Sequence, residues 1–160
     1  MKEGSEPTPR CLSICVLASG SKGNAIHVSD GETAILIDAG LSGVEIERRL
    51  RERDLAAKDL KAIVVSHEHA DHIRGVGILS RRHGIPVYIN AGTRAQGASI
   101  LGNLGPTESF ACGRAFHING LALHPFSTSH DASDPAGFTI QSNGLKIGLA
   151  TDLGIATRMV

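Results

Sequence analysis

Apolar residues in this chain gather in short runs separated by glycine-rich turns, a pattern of strands more than of long helices. Residues 11–18 (CLSICVLA) read as a first strand and the polar stretch 19–24 (SGSKGN) as the loop after it. The runs 25–29 (AIHVS) and 33–38 (TAILID) flank Asp30-Gly31, a hairpin signal, so three strands in succession should form a meander. Ser42 followed three residues later by Glu45 predicts a capping box and a helix to about Arg53, with Val44, Ile46 and Leu50 inward and Arg48, Arg49, Arg51 and Arg53 solvated. Residues 61–66 (KAIVVS) are apolar without alternation, as in a strand buried on both faces. A helix over about 75–83 stopped by Gly84, a strand over 87–90, and a weak helix with loop over 91–113 follow. The last part predicts strands at 115–118, 121–126, 137–141 and 146–150, with Asn119-Gly120 and Asn143-Gly144 as turns. The whole is a mixed α/β (α+β) layer protein, with residues 1–10 as a flexible tail before it.

Composition narrows this. The 160 residues suit one domain, and 41% hydrophobic with 20% charged is ordinary globular composition. Sixteen basic against sixteen acidic residues give no net charge, which excludes coating nucleic acid by bulk electrostatics but not a local basic groove. Aromatics are only 3%, so Ile, Val, Leu and Ala must build the core, and a stacking platform for single-stranded nucleic acid is disfavoured. No apolar run approaches the roughly 18 residues of a membrane span, and the first ten residues lack a secretory pattern, so a cytoplasmic location is expected. Cys11, Cys15 and Cys112 offer neither a disulfide framework nor a zinc ribbon; Cys11 and Cys15 are expected to be buried on one strand face.

The chemistry concentrates in His67-Glu68-His69-Ala70-Asp71-His72, which puts four metal-competent side chains into six residues directly after the buried strand. On extended chain, His67 and His69 project to one side with Cα atoms roughly 6.6 Å apart, and two imidazoles at that spacing can converge on one cation. A turn beyond them could aim Asp71 and His72 at a second cation. The plainer alternative is a surface loop with solvated or helix-capping histidines. Other motifs fail on order: a HExxH zincin needs His where Asp71 stands, a nucleobase deaminase needs Glu where His69 stands, and SGSKGN lacks the order of a phosphate-binding P-loop. His27, His83, His117 and His124 read as structural or exposed.

HEHADH after an apolar strand, with ILIDAG (35–40) before it, resembles the metallo-β-lactamase superfamily of binuclear metallo-hydrolases. LASGSKGNA (17–25), SHDASDPAGF (129–138) and ATDLG (150–154) are similar to its bacterial YycJ/WalJ-like branch, associated with DNA exonuclease or phosphodiesterase activity. The resemblance spans about residues 11–155. It implies an α/β/β/α sandwich, a first cation on His67, His69 and His130, a second on Asp71 and His72, and Asp152 bridging the two. It implies further that Asp38 orients a ligand histidine from behind, that Asp71 acts catalytically on the nucleophile, and that Ser21, Lys22 and Asn24 border the substrate. Two divalent cations are implied, zinc by the ligand set, with manganese or iron as alternatives.

Against that pattern, residues 11–160 read as an incomplete domain: the N-terminal half of the sandwich plus part of the second half. The superfamily's last ligand histidine has no matching position, so the second cation is expected to lack one nitrogen ligand and this chain to be a poor enzyme. The second sheet is expected to leave apolar surface uncovered, inviting self-association. Three functions follow: a hydrolase using a metal-bound hydroxide on phosphodiesters of DNA or a nucleotide, a metallo-hydrolase of thioesters or lactones, or a non-catalytic metal-binding remnant. No membrane partner is expected.

Overall fold

The computed structural model describes residues 11–154. The tail proposed for residues 1–10 and the last six residues of the proposed domain lie outside them. Strands β1 (Ser13–Ala18), β2 (Ala25–Ser29) and β3 (Ala34–Ile37) form the expected antiparallel meander. Helix α1 (Gly43–Arg51) and a 3-10 turn (Ala57–Asp59) lead to β4 (Leu60–Val64). Helices α2 (Ala70–Ile73) and α3 (Val76–His83) lead on to β5 (Val87–Tyr88). Helices α4 (Ala91–Gln96) and α5 (Ala98–Leu101) then reach β6 (Thr107–Glu108). Strands β3 to β6 pair in parallel, completing a six-stranded mixed sheet in the order β1-β2-β3-β4-β5-β6. Strands β7 (Phe116–Ile118), β8 (Leu121–Ser127), β9 (Ala136–Ser142) and β10 (Leu145–Leu149) form a second, antiparallel sheet in the order β10-β9-β8-β7. At Asn143-Gly144 both turn residues take positive φ, 52° and 79°, which suits an Asn-Gly hairpin.

Two cores hold three layers together. On one face of the first sheet, Leu36, Ile63 and Val65 pack against Ile46 and Leu50 of α1, Val76 and Leu79 of α3, and Leu101 of α5. On the other face, Val28, Ile35, Ile37 and Val64 pack against Leu121, Leu123, Phe138 and Ile140 of the second sheet. β4 is therefore buried on both sides, as its unbroken apolar run requires. Among the described residues no helix covers the outer face of the second sheet, so the layers are α/β/β, an α+β sandwich covering part of a domain. No helix among them is long and apolar enough to cross a membrane.

Several local expectations are corrected. Val44 is 64% exposed, because Gly43, Ile46 and Leu50 make the buried face of α1. The capping box is half-formed: Ser42 Oγ accepts from Glu45 N, but the Glu45 carboxylate is taken by Arg48 and Arg49, which hold it down at about 2. Arginines at i+3 and i+4 outcompete a backbone N–H for that carboxylate. Cys11 is exposed and lies before β1, so it is no core residue, and Cys15 is half-buried. The stretch 91–113 holds two short helices and a strand. Exposed apolar side chains collect at the open edge of the sandwich, on Ile14 and Val16 of β1 and Leu145 of β10. The outer face of the second sheet instead mixes Ala122 and Phe126 with His124, Gln141 and Lys146.

Candidate metal centre

Parallel strands deliver their C-terminal ends to one edge of the first sheet, where open α/β sheets place their sites. Asp38 follows β3, the segment 65–72 follows β4, and the loop between β1 and β2 borders the same edge. The second sheet contributes His130 from the loop between β8 and β9, and Asp152 from the segment after β10. Backbone bonds stitch these pieces together. Asp38 N donates to Val64 O (2.9 Å), Ala39 N to His72 O (2.8 Å) and Ala136 N to Ser66 O (2.9 Å). Gly154 N donates to Ser129 O at 2.6 Å, tying the Asp152 segment to the His130 loop.

Four imidazoles meet at this edge. The His67 ring centroid lies 4.7 Å from that of His69, 4.0 Å from His72 and 4.7 Å from His130. His130 Nε2 is 3.0 Å from His69 Nδ1. Two groups could each hold a cation: His67, His69 and His130, and His67, His72 and Asp152, with the ligand atoms of each within 4.8 Å of one another. Asp152 Oδ2 stands 2.6 Å from His72 Nε2 and 3.6 Å from His67 Nε2, at the junction of the two. Asp71 Oδ2 is 3.6 Å from His72 Nε2. His67, which the sequence expectation gave to the first cation alone, thus belongs to both groups.

Counting protons shows which nitrogens face inward. The buried Ser66 Oγ donates its one proton to Asp38 Oδ2 at 2.6 Å. His67 Nδ1, 3.0 Å from the same oxygen, must then donate to it, leaving a lone pair on His67 Nε2. His72 Nδ1 donates to Asp38 Oδ2 at 2.7 Å, so Nε2, 2.6 Å from Asp152 Oδ2, is the nitrogen whose lone pair a cation would take. His67 Nε2 is buried and has no hydrogen-bond partner among the described residues. A buried acceptor left unpaired beside four other ligand-type side chains, on His69, His72, His130 and Asp152, fits a cation better than it fits any protein donor among the described residues. The residues therefore fit the metal.

Electrostatics separate the two histidines. Burial pushes His67 down to about 4, the neighbouring His72 adds to this, and Asp38 opposes it. Burial also works to lower His72, but the hydrogen bond and charge of Asp38, with Asp71 and Asp152, outweigh it and raise its pKa. Asp38 itself has φ 58°, a left-handed conformation that Asp tolerates better than most residues, and this turns its carboxylate back under the ligands.

Of the three loop residues expected near substrate, Ser21 and Lys22 are exposed, whereas Asn24 is buried and faces Asp71 and His72. Three residues that sequence reasoning passed over also build the site. Ser66 links Asp38 to His67. Glu68 Oε1 accepts from Ser133 N at 2.6 Å, and Asn90 Nδ2 donates to Asp134 O at 2.7 Å, so both anchor the loop that carries His130. The available signal was position: Ser66 and Glu68 flank His67, and Asn90 follows a parallel strand as the N-cap of α4.

Comparison with known proteins agrees with this architecture. Exodeoxyribonuclease YycJ of Bacillus anthracis is 38% identical, over 92% of this chain and 57% of that protein. Exodeoxyribonuclease WalJ of Streptococcus pneumoniae is 35% identical, over 90% of this chain and 55% of that protein. This chain thus spans just over half the length of both. A solved metallo-beta-lactamase from Cronobacter sakazakii shares the fold, with TM-score 0.66 at 21% identity, over 81% of this chain and 58% of that one. Residues 19–108, more than half of the sequence and including the HEHADH segment, match the family model described as the metallo-beta-lactamase superfamily, and the chain belongs to that superfamily.

Proposed function

We propose that this chain carries the metal-binding machinery of a hydrolase that cleaves phosphodiesters, with DNA as the substrate class. The observation that carries the reading is the inward, unpaired Nε2 of His67 among His69, His72, His130 and Asp152. The nuclease names of the two relatives support DNA over other phosphodiesters. His67, His69 and His130 would hold one divalent cation, and His72, Asp71 and Asp152 the second, with zinc as the metal that suits nitrogen and carboxylate donors. Bound there, such cations supply Lewis acidity that brings water ionisation near neutral pH and offsets charge developing on a phosphodiester. Asp38 holds His72 in the tautomer with its lone pair inward, and Ser66 does the same for His67. Asp71, whose side chain is 27% exposed, is the carboxylate placed to orient the attacking water and accept its proton.

The test combines bound metal per chain with hydrolysis of bis-p-nitrophenyl phosphate, a thioester and linear DNA, in added zinc or manganese. Metal uptake with weak phosphodiester cleavage, both lost in His69→Ala, is the expected result. Preference for the thioester, or bound metal with no turnover of any substrate, refutes the phosphodiesterase reading.

A further inference from the structure

We infer that Asn24 is a positioning residue for the second cation group, holding Asp71 toward the point that His72 faces; this rests on the hydrolase reading above. The Asn24 side chain is buried and its carboxamide is clamped at both ends by one residue. Gly20 N donates to Asn24 Oδ1 at 3.1 Å, and Asn24 Nδ2 donates to Gly20 O at 3.0 Å. A flipped amide would set donor against donor and acceptor against acceptor, so the orientation is determined. The remaining N–H on Nδ2 points into the site, 3.3 Å from Asp71 Oδ2, 3.1 Å from His72 Nε2 and 3.4 Å from Asp71 O.

The backbone removes the freedom to relax away. Asn24 N donates to Asp71 O at 2.7 Å, and Gly40 N donates to Asn24 O at 2.8 Å. An amide nitrogen carries no available lone pair, so Asn24 does not ligate; it shares one proton among Asp71 Oδ2, Asp71 O and His72 Nε2. One of them, His72 Nε2, is the lone pair that Asp38 leaves facing inward. When a cation takes that lone pair, the Asn24 proton is left to Asp71. The Asp71 side chain is part-exposed, and the Asn24 amide is the one side-chain donor in hydrogen-bond contact with its carboxylate among the described residues. Neither His69 nor His130 is bonded to Asn24. Its influence is thereby confined to one of the two cation groups.

The metal-free chain, Asn24→Ala and Asn24→Ser are each titrated with Co2+, read by calorimetry and by visible absorption of the bound ion. Serine keeps a polar side chain in the loop but is too short to span Gly20 and Asp71. In both variants the first equivalent should bind with unchanged affinity and spectrum, while the second weakens roughly 10–100-fold. Unchanged affinity for both equivalents overturns the inference, as does loss of both in proportion, which would make Asn24 a residue of the fold alone. A wild-type chain that takes up one equivalent only also overturns it. A wild-type chain that takes up no cobalt overturns instead the hydrolase reading beneath it.

Discussion

His72 Nδ1 stands 2.7 Å from Asp38 Oδ2, in a pair of side chains that are 0% and 2% exposed. The same carboxylate accepts from Ser66 N at 2.7 Å and Ser66 Oγ at 2.6 Å, so three donors converge on it. An amide cannot serve all three, because one of its two ends is itself a donor. Asp38→Asn keeps the left-handed backbone but forces either the His72 proton or the Ser66 N–H out of register. Metal titration should show affinity at the His72 group lower by about 10–100-fold, with the fold retained by circular dichroism.

Ser66→Ala leaves the His67 Nδ1–H without its acceptor and removes one donor from Asp38. Unfolding of the metal-free chain in urea should show a loss of about 1–3 kcal/mol, and Ser66→Thr, which keeps the hydroxyl, should recover most of it. Equal stability of the alanine variant and the wild type would mean that the hydroxyl does not bridge the two residues in solution.

Gly40 and Gly84 separate crowding from backbone strain. A Cβ at Gly40 would fall on the carbonyl oxygen of Asp71, pushing apart the contact that seats Asn24. Gly84 has φ 65° with nothing near the added atom, so Gly84→Ala costs only the strain of the left-handed conformation, about 1–2 kcal/mol. Gly40→Ala should cost more than about 4 kcal/mol and abolish metal uptake, while Gly84→Ala should bind metal as the wild type does.

Acid should weaken the metal-free chain through His67. Its pKa falls from the ordinary 6.5 to about 4 on folding, so between those values the unfolded chain takes up a proton that the folded chain refuses. Stability from this group therefore decreases as pH drops from 6.5 toward 4, by roughly 3 kcal/mol. His72 works in the opposite sense: its raised pKa contributes stability that is present below 6.5 and is lost as pH rises through the folded-state value. Urea midpoints measured between about pH 4 and pH 8 should show His67→Gln flattening the acid limb. An unchanged acid limb in that variant would assign it to another group.

Zinc should stabilise the folded chain by mass action. At about 100 times its dissociation constant the gain is about 2.7 kcal/mol, reversible with a chelator. His130→Ala removes one of three nitrogens from its group and should cut that gain at the same zinc concentration, while leaving the metal-free melting temperature nearly unchanged because His130 is part-exposed. A variant that keeps the full zinc-dependent shift would exclude His130 from the cation.

Much of this protein was legible along the chain because the information is local. The unbroken apolar run before His67 demanded a strand buried on both faces, and β4 is one. The spacing of His67, His69, Asp71 and His72 depends on a few backbone angles and could be read from six letters. Resemblance alone pointed to His130 and Asp152, which bear no local mark of their purpose.

What folding alone decided is how the side chains meet. That His67 lies within reach of both groups of ligand-type side chains depends on how far the second sheet carries Asp152 across the site. Whether Asn24 faces solvent or Asp71 depends on the interlock of Gly20, Gly40 and Asp71, residues far apart in the chain. Tautomers follow from which oxygen lies behind each ring, and only the left-handed turn at Asp38 brings one carboxylate beneath both Ser66 and His72. Hydrogen bonds and metal ligation demand positions good to a fraction of an ångström, and in this chain two sheets and the loops between them must pack before any of those positions exists.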